Sequence, residues 1–229
     1  MIPQSKAKIF PANERGVVES GTFRSCYSFN FQTYQQAHKM PFSNLSALND
    51  VLAPQQSLQF TAEADMFLVL VPLIGAVVYH DSMGNENYLA AGYVQVFNVA
   101  KNTVFGLLNP YHDEAINFLQ VWIKNDSPHS PEITSPVDVY LEECINQMNL
   151  IISHTQFNIS IGKYEGRKEG IYKVKNERNG IFAFVIDGQM EVQYRLLQPR
   201  DGLGLWEQEE IEWEALTASA ILLVVEIKV

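Results

Sequence analysis

Thr61, Glu63 and Asp65 occupy alternate positions of one predicted strand, and they are the first candidates in this chain for a polar site. Alternate residues of a β-strand project from the same face of a sheet, so the three side chains would lie side by side. Two interpretations remain open. The side chains line a pocket inside a domain, or they belong to a sheet face in contact with water, because acidic residues are seldom buried without a partner.

Other polar residues indicate chemistry less strongly. Glu210, Glu212 and Glu214 alternate with apolar residues, and although paired carboxylates can perform acid–base catalysis, this pattern favours the solvent side of a sheet. No Ser-His-Asp arrangement, phosphate-binding loop or cofactor fingerprint is present in the sequence. The histidines have neither His-x-His nor His-x3-His spacing and are interpreted as surface residues; they are His38, His80, His112, His129 and His154.

The candidate residues lie among segments typical of β-strands. Residues 181–192 form a β-branched and aromatic run that is interrupted at Asp187-Gly188, which indicates two strands meeting at a turn or a sharp bend. Residues 66–79 repeat this design around Gly75, and a second pair of glycine-containing segments recurs at nearly the same offset. Short strands separated by glycine turns predict an all-β sandwich or barrel, and the recurrence predicts a duplicated domain.

The overall composition restricts the function classes. The net charge of −10 is opposite to the basic surface that nucleic-acid binding requires. Cys26 and Cys144 form neither a metal-spaced pair nor a disulfide framework, which predicts reduced, partly buried thiols. The N-terminus lacks the apolar core of a signal peptide, and the run 66–79 is too short to span a bilayer. We expect a cytoplasmic protein without nucleic-acid or membrane partners.

The chain is expected to form two domains, residues 1–124 and residues 137–229. The segment 125–136 is rich in proline and serine and is the predicted linker. Residues 80–85 predict a hairpin turn. One short helix is expected within residues 142–152, with little helix elsewhere.

Taken together, these segments resemble the pirin family of bicupins. The implied fold is all-β, with two tandem cupin barrels, each a jelly-roll-like double-stranded β-helix. The resemblance covers nearly the whole chain, and its motifs are Tyr27-Ser-Phe, the segment Leu45 to Pro54, Gly75-Ala-Val-Val-Tyr-His-Asp-Ser-Met-Gly-Asn85, Leu119-Gln-Val-Trp-Ile123, Phe184-Val-Ile-Asp-Gly188 and Arg200-Asp-Gly-Leu-Gly-Leu-Trp206.

The chain departs from this family where its members bind metal. The resemblance implies a divalent metal in the first barrel, held by a His-x-His pair, a third histidine and a glutamate. Counting along the chain places the first pair at Thr61 and Glu63 and the second near Gly106 and Leu108, so no imidazole remains. We therefore expect no metal and no cofactor, and a non-catalytic protein that binds a small molecule or a protein partner, as a monomer or homodimer. The alternative is a divergent quercetin 2,3-dioxygenase-like oxidoreductase with a reorganised metal site.

The expected ligand pocket lies inside the first barrel. The odd-numbered residues from Thr61 to Phe67 are predicted to point inward, so Thr61, Glu63 and Asp65 would line the pocket. Leu108 would face them, and Gln120 is a further candidate. Because an unpaired buried carboxylate is costly, this pocket would need an open mouth or a nearby cation, and it would prefer neutral or cationic molecules.

Overall fold

The computed structural model describes residues 6–32, 34–126 and 134–228, without the side chains of residues 47–49. Within these ranges the chain is built from β-strands, and the one helix is the 3-10 turn Ala12–Glu14. The strands are β1 Ala7–Phe10, β2 Gly16–Glu19, β3 Phe23–Tyr27, β4 Leu45–Leu52, β5 Ser57–Thr61, β6 Met66–Ile74, β7 Ala76–Asp81, β8 Glu86–Ala90, β9 Tyr93–Val99, β10 Val104–Leu108, β11 Ile116–Lys124, β12 Val137–Asp138, β13 Asn149–Ser153, β14 Phe157–Tyr164, β15 Glu169–Lys173, β16 Asn179–Asp187, β17 Met190–Val192, β18 Arg195–Leu197, β19 Gly202–Leu205, β20 Glu210–Ala215 and β21 Ala220–Lys228.

The chain folds into two compact units. The first unit is Gly16–Asp138, and the second contains the residues from Val139 onward together with those up to Arg15. The predicted first domain began at residue 1, and the structure differs there because β1 pairs antiparallel with β19, with Ala7 opposite Leu205. Most of the predicted linker, residues 127–133, lies outside the described residues.

The two units repeat one strand order. The first has a sheet ordered β12-β9-β6-β11-β4-β3-β2 and a sheet ordered β5-β10-β7-β8. The second has the corresponding sheets β1-β19-β16-β21-β14-β13 and β15-β20-β17-β18. Each strand that has a counterpart in the first unit carries a number ten higher, so that β16 corresponds to β6. The prediction of two similar all-β cupin domains is confirmed.

The core of each unit lies between the inward faces of its own two sheets. In the first unit that core is rich in aromatic rings, among them Phe60, Tyr79, Phe97, Phe105 and Trp122. In the second unit aliphatic side chains of β16, β19 and β21 predominate. The predicted strand through Val185 and Ile186 is confirmed as β16, and both side chains are buried.

Glycine permits the sharp bend that the sequence predicted in each unit. Gly75 has φ +76° and Gly188 has φ +73°, in the region that disfavours residues with a Cβ atom. A Cβ at Gly188 would lie 2.7 Å from Cα of Ala220. The long strands β6 and β16 can therefore bend at these glycines, and the chain continues directly into a strand of the other sheet of the same unit, β7 or β17.

The hairpin predicted at residues 80–85 joins β7 to β8. Its turn is closed by the carboxylate of Asp81, which accepts hydrogen bonds from the backbone N–H groups of Met83 at 2.9 Å and Asn85 at 3.0 Å. The helix expected within residues 142–152 is wrong, because this segment forms turns and then β13. No helix among the described residues is long and apolar enough to cross a membrane.

Candidate functional site

A cleft of about 350 Å³ opens on the first unit, where β5 and β6 meet the loop between β3 and β4. We call it the mouth cleft. Its apolar wall contains Trp122, Phe31, Met40 and Met66. Trp122 is only 2% exposed, and its ring centroid lies 5.0 Å from that of Phe31. Concave, mostly apolar spaces with a few polar groups are the usual sites for small ligands.

The rim of the mouth cleft is polar and carries both signs of charge. Thr61, Glu63 and Lys124 lie along it, beside several carboxamide and hydroxyl side chains. Lys124 Nζ is 3.9 Å from Oδ1 of Asp126, and both side chains are more than half exposed, so this ion pair contributes little stability. Glu63 is exposed on this rim, and Lys124 lines the same cleft.

The predicted orientation of the odd-numbered residues is wrong. Thr61 and Glu63 are exposed at the rim, whereas Phe60 and Ala62 are buried in the core. Strand β5 ends at Thr61, and the next strand begins only at Met66. The pairing of β6 with β11 shifts register between Pro72 and Ile74, so the count of alternate positions from Gly75 loses its phase there. The inward residues are Val77 and Tyr79 on one side of this irregularity and Leu68 and Leu70 on the other.

Two predicted pocket residues do not line the mouth cleft. Asp65 is half-buried, and its Oδ1 accepts a hydrogen bond from the backbone N–H of Lys101 at 2.8 Å, which fixes the turn before β10. Leu108 is half-buried at the end of β10, where it pairs with Ser57 and Val78. Neither residue lines the cleft, and Asp65 instead holds a neighbouring turn.

Aromatic rings fill the interior of the first unit, where a cupin metal would bind. On β10 the inward residues are Phe105 and Leu107, not the predicted Gly106 and Leu108. Phe105 stacks on Phe60 with ring centroids 5.4 Å apart. None of these inward side chains has a nitrogen, oxygen or sulfur donor.

The donor set therefore does not fit the metal that the fold implies. Among the described residues, no group of three or more His, Cys, Asp or Glu side chains is placed to hold a metal ion. His80 is directed away from the core, opposite Gly106 on the neighbouring strand, and so supplies no inward imidazole.

A buried chain of hydrogen bonds ends at the wall of the mouth cleft. The Ser25 hydroxyl donates to Oδ1 of Asp50, and Nε2 of Gln120 donates to its Oδ2 at 2.7 Å. The indole Nε1 of Trp122 donates to Oε1 of Gln120 at 3.1 Å. Asp50 and Gln120 are fully buried. Gln120, a predicted pocket residue, thus lies behind the wall and contacts the cleft only through Trp122.

Asp50 is the functional candidate that the sequence prediction missed. Burial in the core raises the pKa of this carboxyl to about 6, against the lowering effect of the hydrogen bonds from Ser25 and Gln120. Burial and the nearby Asp50 also raise the pKa of Tyr27. The sequence contained a signal for a buried acid, because Asp50 lies within the otherwise mostly apolar segment from Leu45 to Leu52.

The predicted solvent face of the second unit is confirmed. Glu210 and Glu212 are exposed and Glu214 is half-buried, while the intervening residues of β20 are buried. Glu214 lies opposite Glu169 and Glu191 on the neighbouring strands. Arg167 Nη1 approaches Glu214 Oε1 at 3.1 Å. These carboxylates form an acidic outer surface of the sheet.

Most of the other sequence candidates are also placed by the structure. His38 and His112 are exposed, in agreement with the surface assignment, and His154 is half-buried and accepts a hydrogen bond from the backbone N–H of Gln156. His129 lies outside the described residues. Cys26 and Cys144 are free and partly buried, as predicted.

Comparisons with known families match both halves of the chain. Residues 11–123 match the family model Pirin, and residues 147–225 match the model described as the quercetinase C-terminal cupin domain.

Some similar proteins cover nearly the full length of this chain, and another covers about half of it. The quercetin 2,3-dioxygenase of Escherichia coli K12 is 25% identical over 93% of this chain and 95% of its own length. The pirin-like protein YhaK of the same strain is 26% identical over 49% of this chain and 48% of its own length.

The crystal structure of YhhW from Escherichia coli has a TM-score of 0.85 at 21% identity, covering 98% of this chain and 99% of that one. A second structure, of bacterial pirin YhhW in complex with nickel(II), has a TM-score of 0.84 at 20% identity, covering 98% of this chain and 100% of that one.

Proposed function

Because this chain belongs to the pirin family of two-cupin proteins, we propose that it is a metal-independent, non-catalytic member that binds a small molecule in the mouth cleft. The observation that supports this proposal most is the aromatic interior of the first unit. The inward positions that would converge on a metal hold Phe60, Ala62, Phe105 and Leu107. These side chains offer no ligand to a divalent ion, while the cleft beside them keeps an apolar wall.

The chemistry of the cleft favours a flat, neutral or cationic ligand. The rings of Trp122 and Phe31 give the wall an aromatic surface, on which a planar molecule can stack. Glu63 on the rim disfavours an anion at its end of the cleft, and Lys124 is already close to Asp126. A ligand with an aromatic body and a polar edge would contact both the wall and the rim.

Elemental analysis tests the metal-independent part of the proposal. The protein is purified without chelator, and its iron, nickel, zinc and manganese contents are measured. We expect far less than one equivalent of each metal. Near-stoichiometric metal that is lost in Glu63→Gln, but kept in the matched exposed variant Glu114→Gln, would refute the proposal.

Probe titrations test the cleft itself. Three probes of similar size and different charge are suitable: neutral 2-naphthamide, cationic N-methylquinolinium and anionic 2-naphthoate. We expect the first two to bind more tightly than the third. Phe31→Ala should weaken their binding by about tenfold, which corresponds to about 1.4 kcal/mol of lost ring contact.

Tyr88→Ala is the matched control for this loss. Tyr88 is an aromatic residue of the same unit, is 58% exposed and does not line the cleft. Equal weakening by both substitutions would show that the probes bind elsewhere. Tighter binding of the anion would contradict the charge preference.

The second candidate function is a cupin oxidoreductase with a reorganised metal site. Its support is the 25% identity with the quercetin 2,3-dioxygenase of Escherichia coli across 93% of this chain. Quercetin is incubated aerobically with the protein, alone and with added iron, nickel or manganese, and its absorbance is followed. Multiple turnovers that depend on the metal would establish this function, whereas binding without turnover supports the first.

A further inference from the structure

Hydrogen-bond geometry behind the mouth cleft fixes the orientation of one side chain. An ionised carboxylate can only accept hydrogen bonds, so Asp50 requires the NH₂ end of the Gln120 amide to face it. The carbonyl end must then point the other way, where it meets the indole N–H of Trp122. The chemistry of its two neighbours therefore fixes which way the Gln120 amide points.

We infer that Asp50 is a positioning residue for the mouth cleft: its ionised carboxylate, acting through Gln120, holds the indole of Trp122 in the cleft wall, and protonation of Asp50 relaxes that hold. The ligand-binding consequence of this inference rests on the function proposed above. The indole position itself is a property of the protein without ligand. Asp50 is a positioning residue because it is fully buried and does not line the cleft.

A proton on Asp50 removes the constraint on the amide. The neutral carboxyl group both donates and accepts, so either end of the Gln120 amide can face it. With the amide reversed, its NH₂ group faces the indole N–H of Trp122, and two donors oppose each other. The neutral form therefore allows two amide orientations, and only one of them satisfies Trp122.

The surroundings of Asp50 place its protonation in a mildly acidic pH range. From β3 it is faced by Ser25 and by Tyr27, the titratable neighbour, which is neutral there because its ordinary pKa is 10.0 and burial raises it further. From β11 it is faced by Gln120 and by Phe118, which lies opposite it in register. No ion pair among the described residues includes Asp50, so burial is opposed only by two neutral donors, and its pKa is about 6.

The indole N–H signal of Trp122 reports the hydrogen bond directly. In ¹H–¹⁵N correlation spectra this signal is assigned by its loss in Trp122→Phe and is followed between pH 7.5 and about pH 5. We expect the wild-type signal to move with a midpoint near 6. In Asp50→Asn it should hold one position across the range, since the asparagine cannot become an anion.

Two further variants complete this experiment. Ser25→Ala removes a hydrogen bond that lowers the pKa of Asp50, so the midpoint should move to higher pH. Asp113→Asn makes the same substitution at an exposed position of the same unit and should leave the wild-type titration unchanged. A wild-type signal that does not move, or one that moves equally in Asp50→Asn, would overturn the inference.

Binding of 2-naphthamide separates this inference from the proposed function. We expect its affinity for the wild type to fall by about threefold or more from pH 7.5 to pH 5.5, with no such fall in Asp50→Asn. The same fall in both proteins would overturn the coupling to the cleft. Absence of binding at every pH would refute the proposed function instead, and the indole titration would still decide whether Asp50 positions Trp122.

Discussion

Replacing Asp50 by asparagine should change the pH dependence of folding stability. The carboxyl group is fully buried and is held by Ser25 and Gln120. Asparagine has nearly the same shape, can accept from Gln120 through its oxygen and can donate to the Ser25 hydroxyl. The substitution therefore removes the titration while allowing the hydrogen bonds to be kept.

The magnitude follows from the two pKa values. The ordinary value is 3.8, and burial raises the folded value to about 6. Because the folded state holds the proton more tightly, the resulting stability is fully present below pH 3.8 and is lost as the pH rises through about 6. At pH 5, one pH unit below the folded value, it amounts to about 1.4 kcal/mol relative to pH 8.

Urea denaturation at pH 5, 6, 7 and 8 measures this effect. The free energy of unfolding of the wild type minus that of Asp50→Asn should fall by about 1.4 kcal/mol between pH 5 and pH 8. Asp113→Asn, the exposed control in the same unit, should show no such trend. The explanation is refuted if the difference between wild type and Asp50→Asn is constant across this range, because the buried carboxyl group would then titrate as it does in the unfolded chain.

Four substitutions in the second unit test its architecture by denaturation. Glu226→Ala should cost about 3 kcal/mol, because it leaves the Tyr172 hydroxyl, two backbone N–H groups and the Asn179 amide without their acceptor; a cost below about 0.5 kcal/mol would contradict this role. Val185→Ala or Ile186→Ala should cost about 1 to 4 kcal/mol by leaving a cavity, and unchanged midpoints for both would exclude core packing of this strand. Gly188→Ala should cost about 1 to 3 kcal/mol, because φ is +73° and the new Cβ would lie 2.7 Å from Ala220 Cα; a stabilised protein would show that the bend adapts freely.

The fold could be predicted because its signals are local. Gly75 and Gly188 interrupt β-branched runs, and each adopts a positive φ where the strand bends. The alternation of β20 continues without a break from Glu210 to Ala215, so its buried and exposed faces were assigned correctly. Pairing of β1 with β19 has no such signal, because it joins segments almost two hundred residues apart in the sequence, and local pattern does not determine contacts of that range.

The site was harder to predict, because a count of alternate positions is reliable only within one strand. The register shift between Pro72 and Ile74 breaks the count from Gly75 back to β5, so Phe60 and Ala62 face inward instead of Thr61 and Glu63. Asp50 was missed for a different reason. Its role depends on Gln120, 70 residues later in the chain, and no spacing rule links two side chains that meet only across a sheet.

The two units share a strand order, and among the described residues each has one carboxylate side chain that is 0% exposed, Asp50 in the first and Glu226 in the second. The two have different roles. Glu226 accepts backbone N–H groups from Lys175 and Asn176, so its hydrogen bonds fix the loop between β15 and β16. Asp50 accepts only side-chain donors, and one of them continues to Trp122 in the cleft wall. A carboxylate bound to backbone stabilises one conformation of the chain, whereas a carboxylate bound through an amide can affect the orientation of a side chain at a distance. The donors, rather than the shared fold, therefore decide which buried acid supports structure and which can act on a ligand site.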